Sequence, residues 1–423
     1  MKRILVITWF FPPVNSSEGL VTYKLLNNSK FEYDVFTQKD NISWSYGNSD
    51  DLPMNKNIRR IYSKATNIND WPEEAIEFFK KHQDDYDIVM TRSMPPESHK
   101  IGLEIKKIKP SIKLICSFGD PIAMNPYSLY NTTLESPYSI KRRYEVPMSI
   151  RYMLSIKRML KNIKWNLVNK KRVMDAINKD VDFEKEIFDN ASAIIFNSDE
   201  QKEYMTKNYD IKDKGWIIPH SYEPSLYPKG PLKKDTEKIV FSYYGHLDNI
   251  RNVRMLLEAL SDLYEEHPDL EDKAVFNFYG NMSELDKIRV MNYNLSGIVR
   301  YRKSISFIDS LNDMKKSDWL LFVDANLINQ IDHNIFFAAK LADYIGAKKN
   351  IFGITMVDGP SANILRSINA LCLSFSKESI KNYLYLIIYK GYQNNQNEKI
   401  AENYSSINVA KEFDRLVEKN FLR

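Results

Sequence analysis

Short apolar runs recur along nearly the whole chain, separated by segments whose apolar residues fall three or four apart, and this alternation constrains the fold more than any other feature. The runs are RILVIT, YDVFT, YDIVMTR, IKLICSF, SAIIFNS and GWIIP, then KIVFSYYG, AVFNFYG, GIVRY, DWLLFVD, NIFGIT and ALCLSF. Between them lie helical patterns such as ESHKIGLEIKKIK, NVRMLLEALSDLYEEH, FIDSLNDMKK and FFAAKLADYIGA. Strands that alternate with helices form strand-helix-strand units and parallel sheets. Continuously apolar strands belong to sheets covered on both faces. The class is therefore α/β, and ligands are expected beyond the carboxyl ends of the strands.

The alternation pauses at PHSYEPSLYPKGPLKKDTEK, which is rich in proline and lysine and has no period. A chain of 423 residues is too long for one ordinary core. Two doubly wound domains are expected: 1–222, a linker at 223–235, and 236–400, followed by a terminal helix in 401–423. With 43% hydrophobic and 27% charged residues the composition is globular, and no stretch is long and apolar enough to span a bilayer. The start, MKRILVITWFFPP, runs from an apolar strand straight into Pro12 and Pro13, unlike a signal peptide, so a cytoplasmic protein is expected. Cys116 and Cys372 sit in strand-like runs of different halves, which argues against a disulfide or metal site. A net charge of +5 is modest for this length and does not call for nucleic acid.

Four stretches could carry chemistry. In WFFPPVNSSEG, Ser16, Ser17 and Gly19 open a helix whose N–H groups suit a polar or anionic guest, although the loop matches neither GxGxxG nor the Walker pattern; a plain N-cap by Ser16 or Ser17 is the other reading. In SFGDPIAMNPY, Asp120 follows a strand, where a carboxylate could orient a hydroxyl or simply form a turn before Pro121. Ser93, Pro95 and Pro96 would line the same rim. In SYYGHLDNIRNVRMLLEAL, Gly245 ends a strand and Arg251 precedes a helix, where it could meet phosphate oxygens. In DHNIFFAAKLADYIGA, Lys340 and Asp343 are three apart on one helical face, as a binding pair or a surface ion pair. His99, His220, His246 and His333 show no metal spacing.

In this order the pieces resemble a glycosyltransferase of the GT-B fold, of the retaining family-four type that includes many bacterial cell-surface polysaccharide enzymes. ILVITWFFPP with its small-residue loop is similar to that family's opening strand and FPP-x-x-Gly-Gly loop. SMPPESHKIGLEIKK, LICSFGDPIAMNPY, AIIFNSDEQKEYM, IIPHSYEP, YYGHLDNIRNVRMLLEAL and SLNDMKKSDWLLFVD...AAKLADYIGAKKNIFGI resemble its later elements in sequence. The resemblance covers most of the chain outside 139–180.

It implies two Rossmann-like domains facing across a cleft, with the C-terminal helix returning to the first. It also implies that Arg251 and Lys340 hold the diphosphate of a nucleotide-sugar donor, most often UDP, with Gly245 and His246 bordering it and Asp343 taking the place of the ribose-binding glutamate. The opening loop, through Ser17 and Glu18, and Asp120 would face the acceptor and the transferred sugar. Asn334, Phe337 and Ala338 are candidate donor-sugar contacts. No metal and no cofactor besides the donor are implied. The chain departs from the pattern in three places: Ile335 stands where the family often has a glutamate, Asp343 is shorter than the glutamate it replaces, and Ser16-Ser17 replaces Gly-Gly. Ile335 supports the alternative of a non-catalytic GT-B-like subunit, while the lack of GxGxxG after every strand speaks against a dinucleotide oxidoreductase.

A basic helical insertion is expected at about 139–180. Within it Met153, Ile156, Met159, Leu160, Ile163 and Leu167 are helically spaced among Arg158, Lys161 and Lys164. Such a helix either lies on an anionic membrane, here through 148–180, or packs as a solvated hairpin. The acceptor implied is a glycan or a lipid-linked one, and a lipid-linked acceptor would suit the membrane reading, with the protein peripheral on the inner face of the cell membrane.

Overall fold

The computed structural model describes residues 3–14, 16–39, 52–126, 170–207, 209–230, 232–248, 250–328 and 331–422, with backbone alone for 170–178. The apolar runs form two parallel sheets. The first has β1 (Arg3–Ile7), β2 (Tyr33–Gln38), β3 (Ile58–Ser63), β4 (Tyr86–Arg92), β5 (Lys113–Ser117), β6 (Ala193–Phe196) and β7 (Gly215–Ile217) in the order β3-β2-β1-β4-β5-β6-β7. The second has β8 (Ile239–Tyr244), β9 (Ala274–Tyr279), β10 (Val299–Arg302), β11 (Trp319–Val323), β12 (Asn350–Ile354) and β13 (Leu371–Leu373) in the order β10-β9-β8-β11-β12-β13. Both are doubly wound. Strand order reverses between β1 and β4 and again between β8 and β11, so each sheet has its ligand crevice there.

The strand β3 is absent from the apolar runs of the sequence. It is an edge strand paired only to β2, and Arg59, Arg60 and Tyr62 along it point outward, which removes the apolar signature. The helices that position the cleft are α1 (Ser17–Asn28), α2 (Trp71–His82), α3 (Glu97–Ile108), α4 (Lys170–Asn190), α5 (Asp199–Thr206), α6 (Arg254–Glu266), α7 (Glu284–Asn292), α8 (Phe307–Lys316), α9 (Ala339–Ala347), α10 (Pro360–Ser367), α11 (Lys377–Lys390) and α12 (Ser406–Phe421). The expected basic insertion lies outside the described residues as far as 169, and so does the greater part of the stretch assigned to a membrane; its end runs into α4. No helix among the described residues is long and apolar enough to cross a membrane.

FFAAKLADYIGA is only partly helical, a correction to the periodic reading. The helix α9 starts at Ala339 because Asn334 Oδ1 accepts the Phe336 N–H and the Asn334 N–H donates to Asp358 O, holding the preceding residues extended. Phe336 and Phe337 then enter different apolar clusters.

The terminal helix α12 returns to the first sheet's domain. Ser29 Oγ donates to Asp414 Oδ1 (2.5 Å) and the Lys30 N–H to Asp414 Oδ2 (3.2 Å), so Asp414 fastens α12 to the end of α1. Phe413, Leu416 and Val417 join Tyr23 and Leu26 in an apolar cluster that continues through Tyr222 to Leu341 and Tyr344 beside the second sheet. Tyr222 also pairs with Ser405, so two chain segments run side by side between the sheets. Phe413→Ala is expected to cost about 3–5 kcal/mol, the usual loss for a fully buried phenylalanine, measured by urea unfolding.

Candidate functional site

On the first sheet's side, the crevice is formed by the loops after β1, β4 and β5. Ser16 caps α1 by accepting the Gly19 N–H (3.4 Å), and Ser17 is exposed at the helix start. Gly19 lets the helix start pack closely on the loop, since a Cβ there would lie 3.2 Å from the backbone of Phe10 and Phe11. Glu18 is clamped by Arg92, which ends β4: Nε donates to Glu18 Oε2 (2.8 Å) and Nη1 to Ser117 Oγ (2.9 Å). Ser93 is buried and accepts the Gly119 N–H (2.8 Å), so it builds the crevice rather than lining it. Asn197 and Gln201 both donate to Gly119 O (2.7 and 3.0 Å), fixing the loop that carries Asp120 from a third side.

Burial pushes the Asp120 carboxyl up to about 7, with Glu18 adding to the effect and Arg92 and Arg251 opposing it. Arg251 belongs to the other domain, so the two crevices face each other at this carboxyl. Glu184 of α4 accepts the N–H groups of Ile122 and Ala123 (both 3.1 Å), and its burial likewise raises it to about 7. Of the histidines, His99 is held by Thr91 (2.7 Å) against Phe118 and depressed to about 3 by burial and then Arg92. His220 is buried against Phe337 and also driven low, by burial, Arg92 and Lys24. Both are neutral packing groups.

On the second sheet's side the cations gather at the switch point. Asp248 Oδ1 accepts the N–H groups of Ile250 (2.8 Å) and Arg251 (2.7 Å), shaping the turn that presents Arg251. Gly245 has φ +129°, and a Cβ there would lie 2.7 Å from Lys340 Nζ, so the ammonium uses the space a side chain would fill. Lys340 donates to the Tyr243 hydroxyl (2.7 Å) and lies over its ring. Burial and then Arg251 hold Lys340 well below the usual lysine range, while Asp324 and Asp248 pull it back. Asp324, immediately after β11, is buried, accepts the Ala325 N–H (2.8 Å), and is raised by burial against the pull of Arg251. The helix α9 begins beside Gly245 with no side chain capping its first turn, which leaves N–H groups for an anion. His246 is exposed at the rim.

Asp343 does not share a target with Lys340. Its Oδ1 meets Lys24 Nζ at 2.5 Å, a pair 319 residues apart in sequence that joins α1 to α9 across the cleft. Their side chains are 1% and 11% exposed. Burial raises Asp343 and Lys24 opposes it. Asn334 is buried with Nδ2 unpartnered among the described residues, and Gly359, at φ +139°, packs against its backbone. Ile335 sits in an apolar cluster with Ile250, Ala325, Leu327, Phe336 and Met356. Phe337 touches His220, and Ala338 precedes the first turn of α9.

Arg92, Asp324, Lys24 and Glu184 were not singled out from sequence. Arg92 and Asp324 each follow or end a strand at a switch point, which is a signal available once strand order is known. Lys24 and Glu184 lie inside helices and acquire their partners only through tertiary contact. Among the described residues no group of histidine, cysteine, aspartate and glutamate could hold a metal ion.

No family model matches the chain, and no curated protein matches it by sequence. Its fold is similar to that of HepE from Anabaena in complex with UDP and glucose, at 10% identity over 99% of this chain and 100% of that one, TM-score 0.62. It is also similar to sucrose-phosphate synthase from Thermosynechococcus elongatus, at 12% identity over 100% and 95%, TM-score 0.60. A third likeness is to WaaG, a glycosyltransferase involved in lipopolysaccharide biosynthesis, at 12% over 99% and 96%, TM-score 0.55. These likenesses establish the GT-B fold along the whole chain.

The Lys24–Asp343 pair generates a stability test. Lys24→Met keeps the aliphatic stem and strands a buried carboxylate, so it is expected to cost about 3–5 kcal/mol in urea unfolding, and adding Asp343→Leu is expected to recover the loss. A single variant as stable as the parent would show that the pair is not buried in solution.

Proposed function

We propose that the chain is a glycosyltransferase that moves a sugar from a nucleoside diphosphate sugar, a UDP-sugar in the first instance, to a hydroxyl of a surface glycan or lipid-linked acceptor with retention at the anomeric carbon. The observation that carries this reading is the convergence of Arg251, Lys340 and the uncapped start of α9 around Gly245. Fold alone would not decide the chemistry; two cations and helix amides at one strand end suit a diphosphate.

In the step proposed, the bond from the anomeric carbon to the diphosphate breaks with its electron pair going to the phosphate oxygen. The acceptor oxygen bonds to that carbon from the same face, and its proton passes to the departing diphosphate. Arg251 and Lys340 neutralise the charge that grows there. Because these side chains supply the positive charge, we assign no metal and no further cofactor to the step. Asp120 accepts a hydrogen bond from the acceptor hydroxyl, with Ser17 and Glu18 beside it. The basic segment before α4 would bring the protein to an anionic membrane on the cytoplasmic side, near a lipid-linked acceptor.

One observation favours a second reading. Ile335, buried among apolar residues, offers no hydrogen bond where the resembled family has a glutamate. A GT-B subunit that binds nucleotide and has lost turnover would fit this.

Lys340→Ala is expected to weaken UDP binding roughly ten- to a hundredfold, the loss of one charge-assisted contact, in calorimetric titration, with unfolding temperature little changed. A panel of UDP- and GDP-sugars with glycan and lipid-linked acceptors then separates the readings. Turnover supports the transferase, UDP binding without turnover supports the subunit, and no nucleotide binding removes both.

A further inference from the structure

The crevice of the first sheet holds one guanidinium and two carboxyls, and the donor chemistry above leaves the guanidinium unused. Arg92 is 5% exposed; Nε is given to Glu18 and Nη1 to Ser117, and Nη2 is buried without an acceptor among the described residues. Asp120 lies close enough to feel Arg92 as a charge, yet no described residue makes a hydrogen bond to its carboxyl. Gly119 leaves Glu18 the room to reach the guanidinium. The Glu18 oxygens lie 2.8 and 2.9 Å from where a Gly119 Cβ would be, so Glu18 reaches Arg92 through space that only glycine leaves open.

We propose that Arg92 is a positioning residue: Glu18 and Ser117 hold its guanidinium in an orientation in which the remaining Nη2 reaches no carboxyl, which leaves Asp120 without an ion-pair partner, free to accept the hydrogen bond of an acceptor hydroxyl in the cleft. The hydroxyl's identity rests on the transferase reading; the competition of two carboxyls for one guanidinium does not. A carboxylate locked to an arginine is a weak acceptor for anything else, because its lone pairs and charge are already engaged. The charged groups facing Asp120 are Glu18 from α1, Arg92 from β4 and Arg251 from the loop after β8, while Glu184 of α4 holds the backbone just beyond it. Burial first and then Glu18 favour the protonated form, and the two arginines favour the ionised one.

Carboxyl carbon NMR of the full chain, with the Asp120 resonance identified by its loss in Asp120→Asn, reads this balance without substrate. Glu18→Gln removes the repelling charge and releases Arg92 toward Asp120, so the titration midpoint should fall by about one pH unit, a tenfold change in proton affinity. Arg92→Met removes the attracting charge and should raise it. Charge alone gives opposite displacements, so the positioning role is read from the double variant Glu18→Gln/Arg92→Met: the fall caused by Glu18→Gln should shrink when there is no arginine to release, and an equal fall with and without Arg92 overturns the proposal. Should Arg92→Met not fold, Glu18→Gln alone decides, an unmoved or raised midpoint being the refutation. If the fall shrinks in this way while no sugar donor is turned over, the transferase reading falls and the arginine's role stands. With turnover in hand, the acid limb of the kcat profile should follow the same midpoints while KM for the donor stays level.

Discussion

Lys24 and Asp343 meet across the cleft with almost no access to water, and the placement of the two sheets depends on that meeting. Each sheet with its helices is a self-contained α/β unit, so nothing within either one dictates how they face. A buried ion pair gains little net stability once desolvation is counted, but it is intolerant of misplacement. Cohesion comes from the apolar cluster that runs from Tyr23 and Leu26 to Leu341 and Tyr344. The ion pair supplies register. At the opposite edge of the cleft Asn363 of α10 donates to Glu200 of α5 (2.7 Å), and Tyr204 packs against the Ile335 cluster, so both edges are tied.

Between these edges the electrostatics are arranged in opposition. Arg251 lowers both Asp120, across the cleft, and Lys340, beside it. One side chain therefore adjusts a carboxyl of the first domain and an amine of the second together. Bringing a diphosphate to Arg251 would reduce its influence on both, making Lys340 easier to protonate and Asp120 harder to ionise. The two halves of the crevice are in this sense one titrating system.

Much of this was legible in the sequence, and the reasons for the remainder are local to particular residues. The parallel sheets follow from apolar runs such as DWLLFVD because both faces of β11 are covered. Ser16 could be read as a cap because capping depends on the next three residues alone. The strand β3 was hidden by its outward arginines, and the extended FFAA by Asn334 and Gly359, whose contact links positions 25 residues apart. Asp343 could be picked out beside Lys340 on one helical face, whereas its partner Lys24 is 319 residues distant and carries no motif. Arg92 was overlooked because a lone arginine at the end of a strand looks like any other; only the strand order puts it beside β1.

The return of α12 to the first domain has a consequence for synthesis. The apolar side of α1 that receives Phe413, Leu416 and Val417 is separated from its cover by the whole second sheet in sequence. Because α12 follows the second sheet in the chain, that face of the first domain has no cover until the second domain has been made. Closure of the first domain is therefore a late event of folding, and its last exposed surface is hidden by a segment that follows the second domain in the chain.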